Sequence, residues 1–241
     1  PAVICYDPAF GYEIGHIVKD GLRRMYGENS ENIYYYLTVY NEPYQQPAEP
    51  EALDVDGLLK GIYLLKKPIE RRRKQVSILA SGVSVNWALK AQKLLNDDFK
   101  IAATIYSVTS WNELRRDGLA VDRHNLLNPG KEMSAFITKQ LKGQKGPVIA
   151  VSDFMRSVQD QIAPWVTQPF YSLGTDGFGL SDTRGALRRH FKVDAESIVI
   201  AALSQLSKHG SVRKRTINNA IRKYQIHDVT AAEAGNTEGS G

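Results

Sequence analysis

Apolar positions in this chain come in short unbroken bursts separated by stretches of helical spacing. Ala2 to Tyr6 is the first burst. Past the Asp7-Pro8 turn, Ile14, Ile17, Val18, Leu22 and Met25 recur three and four residues apart until Gly27, which predicts a helix. Ile33 to Tyr40 is rich in aromatic and β-branched residues and bounded by Asn32 and Asn41, so it reads as a strand. Strand, helix and strand here make one βαβ unit, too small to fold alone. An opening run with no preceding turn is expected of a piece of a longer chain.

The pattern then lapses. Pro43, Pro47 and Pro50 among Gln45, Gln46, Glu49 and Glu51 cannot build a core and read as an extended linker. A short apolar piece, Gly61 to Leu65, leads into a basic run, so residues 43–74 are expected to connect two units. From Gln75 the alternation resumes. Strands are predicted over Val76 to Ala80, Ile101 to Val108, Pro147 to Ser152 and Phe170 to Leu173. Helices are predicted over Ser84 to Leu95, Trp111 to Arg116, Lys131 to Lys142 and Phe154 to Gln161, and in a stretch ending at His190-Phe191. Asp194 is placed to cap a helix ending at Gly210, although the apolar run Ile198 to Leu203 also suits a strand. Ser211 is placed to cap a last helix reaching Tyr224. Strand–helix alternation with short connections predicts an α/β fold with a mainly parallel sheet covered on both faces. The polar, glycine-containing end, residues 229–241, is expected to be disordered.

Charge narrows the choice of partner. Lys66, Lys67, Arg71, Arg72, Arg73 and Lys74 against Glu70 give +5, the whole net charge of the chain. A global basic field for nucleic acid is therefore absent, and no aromatics alternate with those cations as a single-strand platform requires. The run reads as a solvated linker or strand gatekeeper, with Arg71 and Arg72 as candidates for an interface. No apolar run approaches the ~20 residues needed to span a bilayer. The single cysteine, Cys5, suits a reduced, cytoplasmic setting.

Catalytic chemistry is sparse. The histidines at 16, 124, 190, 209 and 227 share no metal-ligand spacing, and neither a Gly-x-Ser-x-Gly elbow nor a phosphate loop occurs. Leu173 to Asp182 holds three glycines close together after a predicted strand, the place where open α/β sheets keep their working surfaces. It lacks the third glycine of a dinucleotide site. Asp176 and Asp182 flank it, with turn and capping bonds as their default role.

Seven blocks in one order carry a resemblance. They are Tyr6-Asp7-Pro8-Ala9-Phe10; Met25-Tyr26-Gly27-Glu28; Tyr34-Tyr35-Tyr36 into Asn41-Glu42; Tyr106 to Ser110; Glu113 to Gly118; Leu173 to Asp182; and His190 to Asp194. Together they resemble the carboxyl-terminal part of the homodimeric bacterial pyruvate dehydrogenases, from Pro1 to about Asp228. The resemblance implies the end of a pyrimidine-binding domain over 1–42. It implies a transketolase-like carboxyl-terminal domain over 75–228, with a mostly parallel five-stranded sheet and one antiparallel strand.

It further implies oxidative decarboxylation of pyruvate with thiamine diphosphate and magnesium, bound mainly upstream, and transfer to a lipoyl-bearing dihydrolipoyl acetyltransferase. This segment would support a homodimer and show no turnover alone. Tyr40, Asn41, Glu42, Tyr44 and Gln45 would line the substrate site. Tyr40 stands where transketolases carry an arginine for a sugar phosphate, which counts against transketolase. Gln45 stands where several relatives show histidine, and an amide cannot titrate. Asp176 and Phe178 join Arg71 and Arg72 as interface candidates. The alternatives are a non-catalytic dimerisation module, a transketolase-type enzyme or another 2-oxo acid dehydrogenase.

Overall fold

Val3–Tyr6 (β1) and Tyr34–Leu37 (β2) pair in parallel, and Gly11–Tyr26 (α1) crosses between them. These belong to a computed structural model that describes residues 2–232. α1 buries Ile17 and Gly21 and ends where the Gly27 amide returns to the Arg23 carbonyl. Gly21 is small for a reason: a Cβ there would press on the Tyr35 ring at 3.2 Å. β2 stops short of the expected Tyr40. After Tyr6 its partner runs into Asp7-Pro8, and proline has no amide to extend the ladder.

Residues 43–74 are structured over their second half, where a linker was expected. Val55–Lys60 (α2) starts at Asp54, which accepts from the Gly57 amide at 2.8 Å, and closes at Gly61 with φ +106°. Tyr63–Lys66 (β3) then forms the antiparallel edge of the larger sheet. The apolar piece before the basic run is thus an edge strand, with Lys66 as its charged end.

Gln75–Ala80 (β4), Ser84–Phe99 (α3), Ala102–Ser107 (β5) and Trp111–Leu127 (α4) follow. After them come Phe136–Gln140 (α5), Val148–Val151 (β6), Arg156–Asp160 (α6) and Phe170–Leu173 (β7). The five strands lie in the order β3-β5-β4-β6-β7, all parallel except β3. This is the mostly parallel sheet the resemblance implied. α4 runs well past the expected Arg116, and α5 is shorter than the expected 131–142 because Gly130, at φ +84°, turns the chain before it.

Arg184–Phe191 (α7), Ala195–Lys208 (α8) and Lys214–Lys223 (α9) complete the chain. Asp194 caps α8 by accepting from the Ser197 amide at 3.0 Å. Ile198 to Leu203 is helical, not strand. It is apolar all round because α8 packs against α3, α9, β6 and β7 together. Arg213, not Ser211, precedes α9. Val229–Ala231, in the expected tail, forms a 3-10 turn packed against α7; residues 233–241 lie outside the described residues.

The larger sheet has a core on each face. Val76, Ile78 and Ala80 of β4 meet α3 and α8, while Leu79 meets the side of α4 and α5. Ile4, Tyr6, Ile17, Leu58 and Tyr63 form a third cluster, which locks β1 and α1 onto α2 and β3.

Candidate functional site

The two sheets meet at the carboxyl ends of β1, β4 and β5, where buried carboxylates are held by hydroxyl groups. Asp7 follows β1 directly and is 5% exposed. Its Oδ1 accepts from Thr38 Oγ1 at 2.5 Å and Tyr40 OH at 2.7 Å, and its Oδ2 from Ser81 Oγ at 2.6 Å. Ser81 Oγ in turn accepts from Trp111 Nε1 at 3.0 Å, and the Gly82 amide donates to the Asp7 carbonyl at 3.0 Å. Gly82 adopts φ +52°, and a Cβ there would meet the Tyr40 hydroxyl at 2.3 Å. Thr38 and Tyr40, which follow β2, and Ser81, which follows β4, are therefore fixed by the same carboxylate.

Glu13, in the first turn of α1, is the second such group. Its Oε2 accepts from the Ala9 and Phe10 amides, and its Oε1 from Tyr63 OH at 2.7 Å and Ser107 Oγ at 2.6 Å. Burial pushes both carboxyls above the ordinary range, and the donated hydrogen bonds oppose it. Four donors fill the acceptor sites of Glu13, leaving none free for proton transfer. These are joints between the two units.

Beside this seam opens a cavity of about 280 Å³, lined among others by Tyr40, Asn41, Glu42, Asp153, Arg184 and Arg188. Glu42 takes a two-pronged bond from Arg188, 3.0 Å on one prong, and the Arg188 guanidinium lies 4.9 Å from the centre of the Trp87 ring. Arg184, four residues earlier and on the same helical face, donates to Asn41 Oδ1 at 3.0 Å and stands 3.9 Å from Glu42. Asp153, just past β6, accepts from Ser84 Oγ at 3.1 Å. Burial pushes its carboxyl up, and the Arg188 charge pulls it back down. Arg188 is committed to Glu42. Arg184 is half exposed and keeps donors free for a carboxylate-bearing ligand.

Of the residues singled out in the sequence, Tyr40, Asn41 and Glu42 come together at this cavity. Tyr40 presents its ring there, since its hydroxyl is held by Asp7. Tyr44 lies in a neighbouring cleft beside Trp87 and Lys90 and donates its hydroxyl to the Ala9 carbonyl. Gln45 is exposed and lines neither space. Its neighbour Gln46 makes the contact instead, accepting from the Gly11 amide at 3.0 Å.

Asp176 accepts from the Arg156 amide at 3.0 Å at the start of α6, while Phe178 is 96% exposed at the tip of the glycine loop. Gly174 is required there by close approach, because a Cβ would meet the Phe154 carbonyl at 2.4 Å. Arg71 is exposed, and Arg72 pairs with Glu70. Sequence reasoning missed Asp153, Arg184 and Arg188 at the cavity. The four-residue spacing of the two arginines was the available signal. Arg189 is different in kind: it is buried and bound to Asp194 and Glu196.

Comparison with known proteins accounts for both units. Residues 61–194 match the model of the transketolase-like TK C-terminal domain, and residues 1–47 that of the pyruvate dehydrogenase E1 component middle domain. The pyruvate dehydrogenase E1 component of Mycolicibacterium smegmatis is 53% identical over 96% of this chain, and that of Mycobacterium tuberculosis 50% over 99%. The Escherichia coli one is 42% identical over 94%. The chain spans about a quarter of the length of these relatives: 25%, 26% and 25% respectively. A Pichia stipitis transketolase solved with sedoheptulose-7-phosphate shares the fold, with a TM-score of 0.59 at 20% identity over 88% of this chain and 26% of its own. The chain belongs to the transketolase-like C-terminal domain family, and its relatives at 42–53% identity are pyruvate dehydrogenase E1 components.

Proposed function

We propose that this chain serves as the carboxyl-terminal part of a thiamine-diphosphate-dependent pyruvate dehydrogenase of the homodimeric bacterial type. The observation that carries the reading is the pair of matches in tandem, a pyruvate dehydrogenase middle domain running into a transketolase-like carboxyl-terminal domain. The whole enzyme would decarboxylate pyruvate and pass the acetyl group and two electrons to the lipoyl disulfide of a dihydrolipoyl acetyltransferase, in the cytoplasm.

In this reading thiamine diphosphate and magnesium are held mainly by other parts of the whole enzyme. Among the described residues no group of three or more His, Cys, Asp or Glu side chains is placed to hold a metal ion. The two seam carboxylates are filled by hydroxyl and amide donors, so no step is assigned to them. What the segment supplies in this reading is shape and charge. Asp7 and Glu13 lock the two units, Tyr40, Asn41 and Glu42 form one wall of the substrate space, and Arg184 offers a guanidinium to a 2-oxo acid carboxylate. The exposed Phe178 supports a second role for the glycine loop in holding the dimer.

Calorimetric titration of this polypeptide with thiamine diphosphate and magnesium tests the division of labour. No binding at micromolar concentration is expected, whereas the full-length enzyme binds and turns over pyruvate; micromolar binding by the segment alone overturns it. In that full-length enzyme, Arg184→Ala is expected to raise KM for pyruvate about tenfold with a smaller change in kcat. An unchanged KM removes Arg184 from the substrate space.

A further inference from the structure

The structure brings Lys74, the last cation of the 66–74 run, beside a second basic segment, at the opposite ends of the strands from the cavity described above. Residues 197–227 contain six lysines and arginines, Lys208, Arg213, Lys214, Arg215, Arg222 and Lys223, and no aspartate or glutamate. The neutral sum outside 66–74 conceals this segregation.

Lys74, which leads into β4, and Arg213, which leads into α9, line one cavity of about 270 Å³ at the amino ends of β4 and β5. Both side chains are exposed at its rim with Ser211, while Ile101, Leu203 and Val212 are buried beneath. Lys214 and Arg215 continue the charge along the exposed side of α9. Among the described residues no carboxylate pairs with Lys74, Arg213, Lys214 or Arg215. The nearby carboxylates are already engaged: Asp98 with Lys223 at 2.6 Å and Glu70 with Arg72.

We propose that this corner is a docking surface for an acidic segment of a partner protein, one that inserts an apolar side chain between carboxylates. Charge complementarity selects the acidic class: two cations without a carboxylate partner, Lys74 and Arg213, line one hollow, Lys214 and Arg215 follow on α9, and a like-charged or neutral partner gains nothing from them. The apolar floor selects protein over nucleic acid. A phosphodiester chain has no apolar group to bury there. An apolar anchor ringed by charge pairs is the arrangement through which a small interface gains both affinity and orientation. The surface lies at the opposite ends of the strands from Tyr40 and Asp153, so an occupant leaves the candidate substrate space open. The inference does not depend on the catalytic reading.

Fluorescence anisotropy of the full chain with labelled short peptides tests it. One peptide alternates Glu and Leu, a second alternates Glu and Ser, and duplex DNA of equal charge is the third probe. The Glu-Leu peptide is expected to bind best, with affinity falling steeply as salt rises. The exposed double variant Lys74→Glu/Arg213→Glu is expected to weaken it tenfold or more, while Lys139→Glu on α5 leaves it unchanged. Unaltered melting of both variants confirms intact folding, and a variant that melts early is replaced by the milder Lys74→Gln/Arg213→Gln. The proposal is overturned if no peptide binds, if the double variant behaves like Lys139→Glu, if Glu-Ser binds as well as Glu-Leu, or if DNA binds tightest.

Discussion

At the scale of single residues, the seam holds its two buried carboxylates, Asp7 and Glu13, with hydroxyls and backbone amides and without a cation. Asp7 gathers Thr38, Tyr40 and Ser81, so removing its oxygens strands three hydroxyls in a dry seam. Each unsatisfied buried donor costs about 1–3 kcal/mol, less where it can turn to another acceptor. Asp7→Ala is therefore expected to destabilise the chain by about 2–4 kcal/mol, measured by urea denaturation. Asp7→Asn, which keeps one acceptor oxygen, is expected to cost less; equal costs refute the hydroxyl account. Asp153 gives the pH dependence. Its folded carboxyl is raised by burial, so the native state holds the proton where the unfolded chain has released it. The stability it contributes is fully present below the unfolded value, near pH 4, and is lost as pH rises through the raised folded value. Thermal melting across that window should show wild type losing stability relative to Asp153→Asn as pH rises; the opposite slope would mean that Arg188 outweighs burial. The sequence marked Asp7 only as a turn residue. A lone aspartate before proline carries no sign of the three hydroxyls that the fold brings from 31, 33 and 74 positions away.

At the scale of elements, what was legible is what depends on local spacing. The helical periods of α1 and α3 and the unbroken bursts of β4 to β7 placed the framework, because each is driven by neighbours in sequence. The misses share a different cause. α4 was cut at Arg116 because polar residues and Gly118 interrupt it, yet the glycine serves packing and does not stop the helix. The Trp165 ring occupies its flank, 2.3 Å from where a Cβ would stand, and Trp165 Nε1 donates to Asp122 of the same helix at 3.0 Å. In an open helix Gly→Ala gains about 1 kcal/mol. Here Gly118→Ala is expected to destabilise by about 1–3 kcal/mol, since the indole must move, and chemical denaturation reads the sign directly. A gain in stability would show that Trp165 yields freely. β3 was missed as a strand for a related reason. An edge strand needs only one apolar face and ends in charge, so four residues before a basic run look like a linker.

At the scale of the whole molecule, the two units differ in how completely they are closed. The five-stranded sheet has helices on both faces, whereas β1 and β2 form a two-stranded parallel sheet with Tyr34 and Tyr36 exposed, at 56% and 58%. On the outer side of α1, Val18, Leu22 and Tyr26 are also exposed. Parallel pairs of strands are rarely stable without helices on both faces, so this unit depends on its contacts with the larger one: the apolar cluster of Ile4, Tyr6, Ile17, Leu58 and Tyr63, and the polar joints at Asp7 and Glu13. The first 47 residues match the pyruvate dehydrogenase E1 component middle domain, and the chain spans about a quarter of the length of the relatives it matches. Two consequences separate the units. In this chain, amide hydrogens of β2 are expected to exchange at least about a hundredfold faster than those of β4, because opening a two-stranded edge exposes little buried surface. Glu13→Gln should then speed exchange in β1 and α1 while leaving β4 to β7 unchanged. The amide cannot accept the four bonds the carboxylate accepts, and Tyr63 and Ser107 are the points where α1 is tied to the larger sheet. Uniform acceleration across both units would mean that they unfold as one, and the seam would then be core rather than joint.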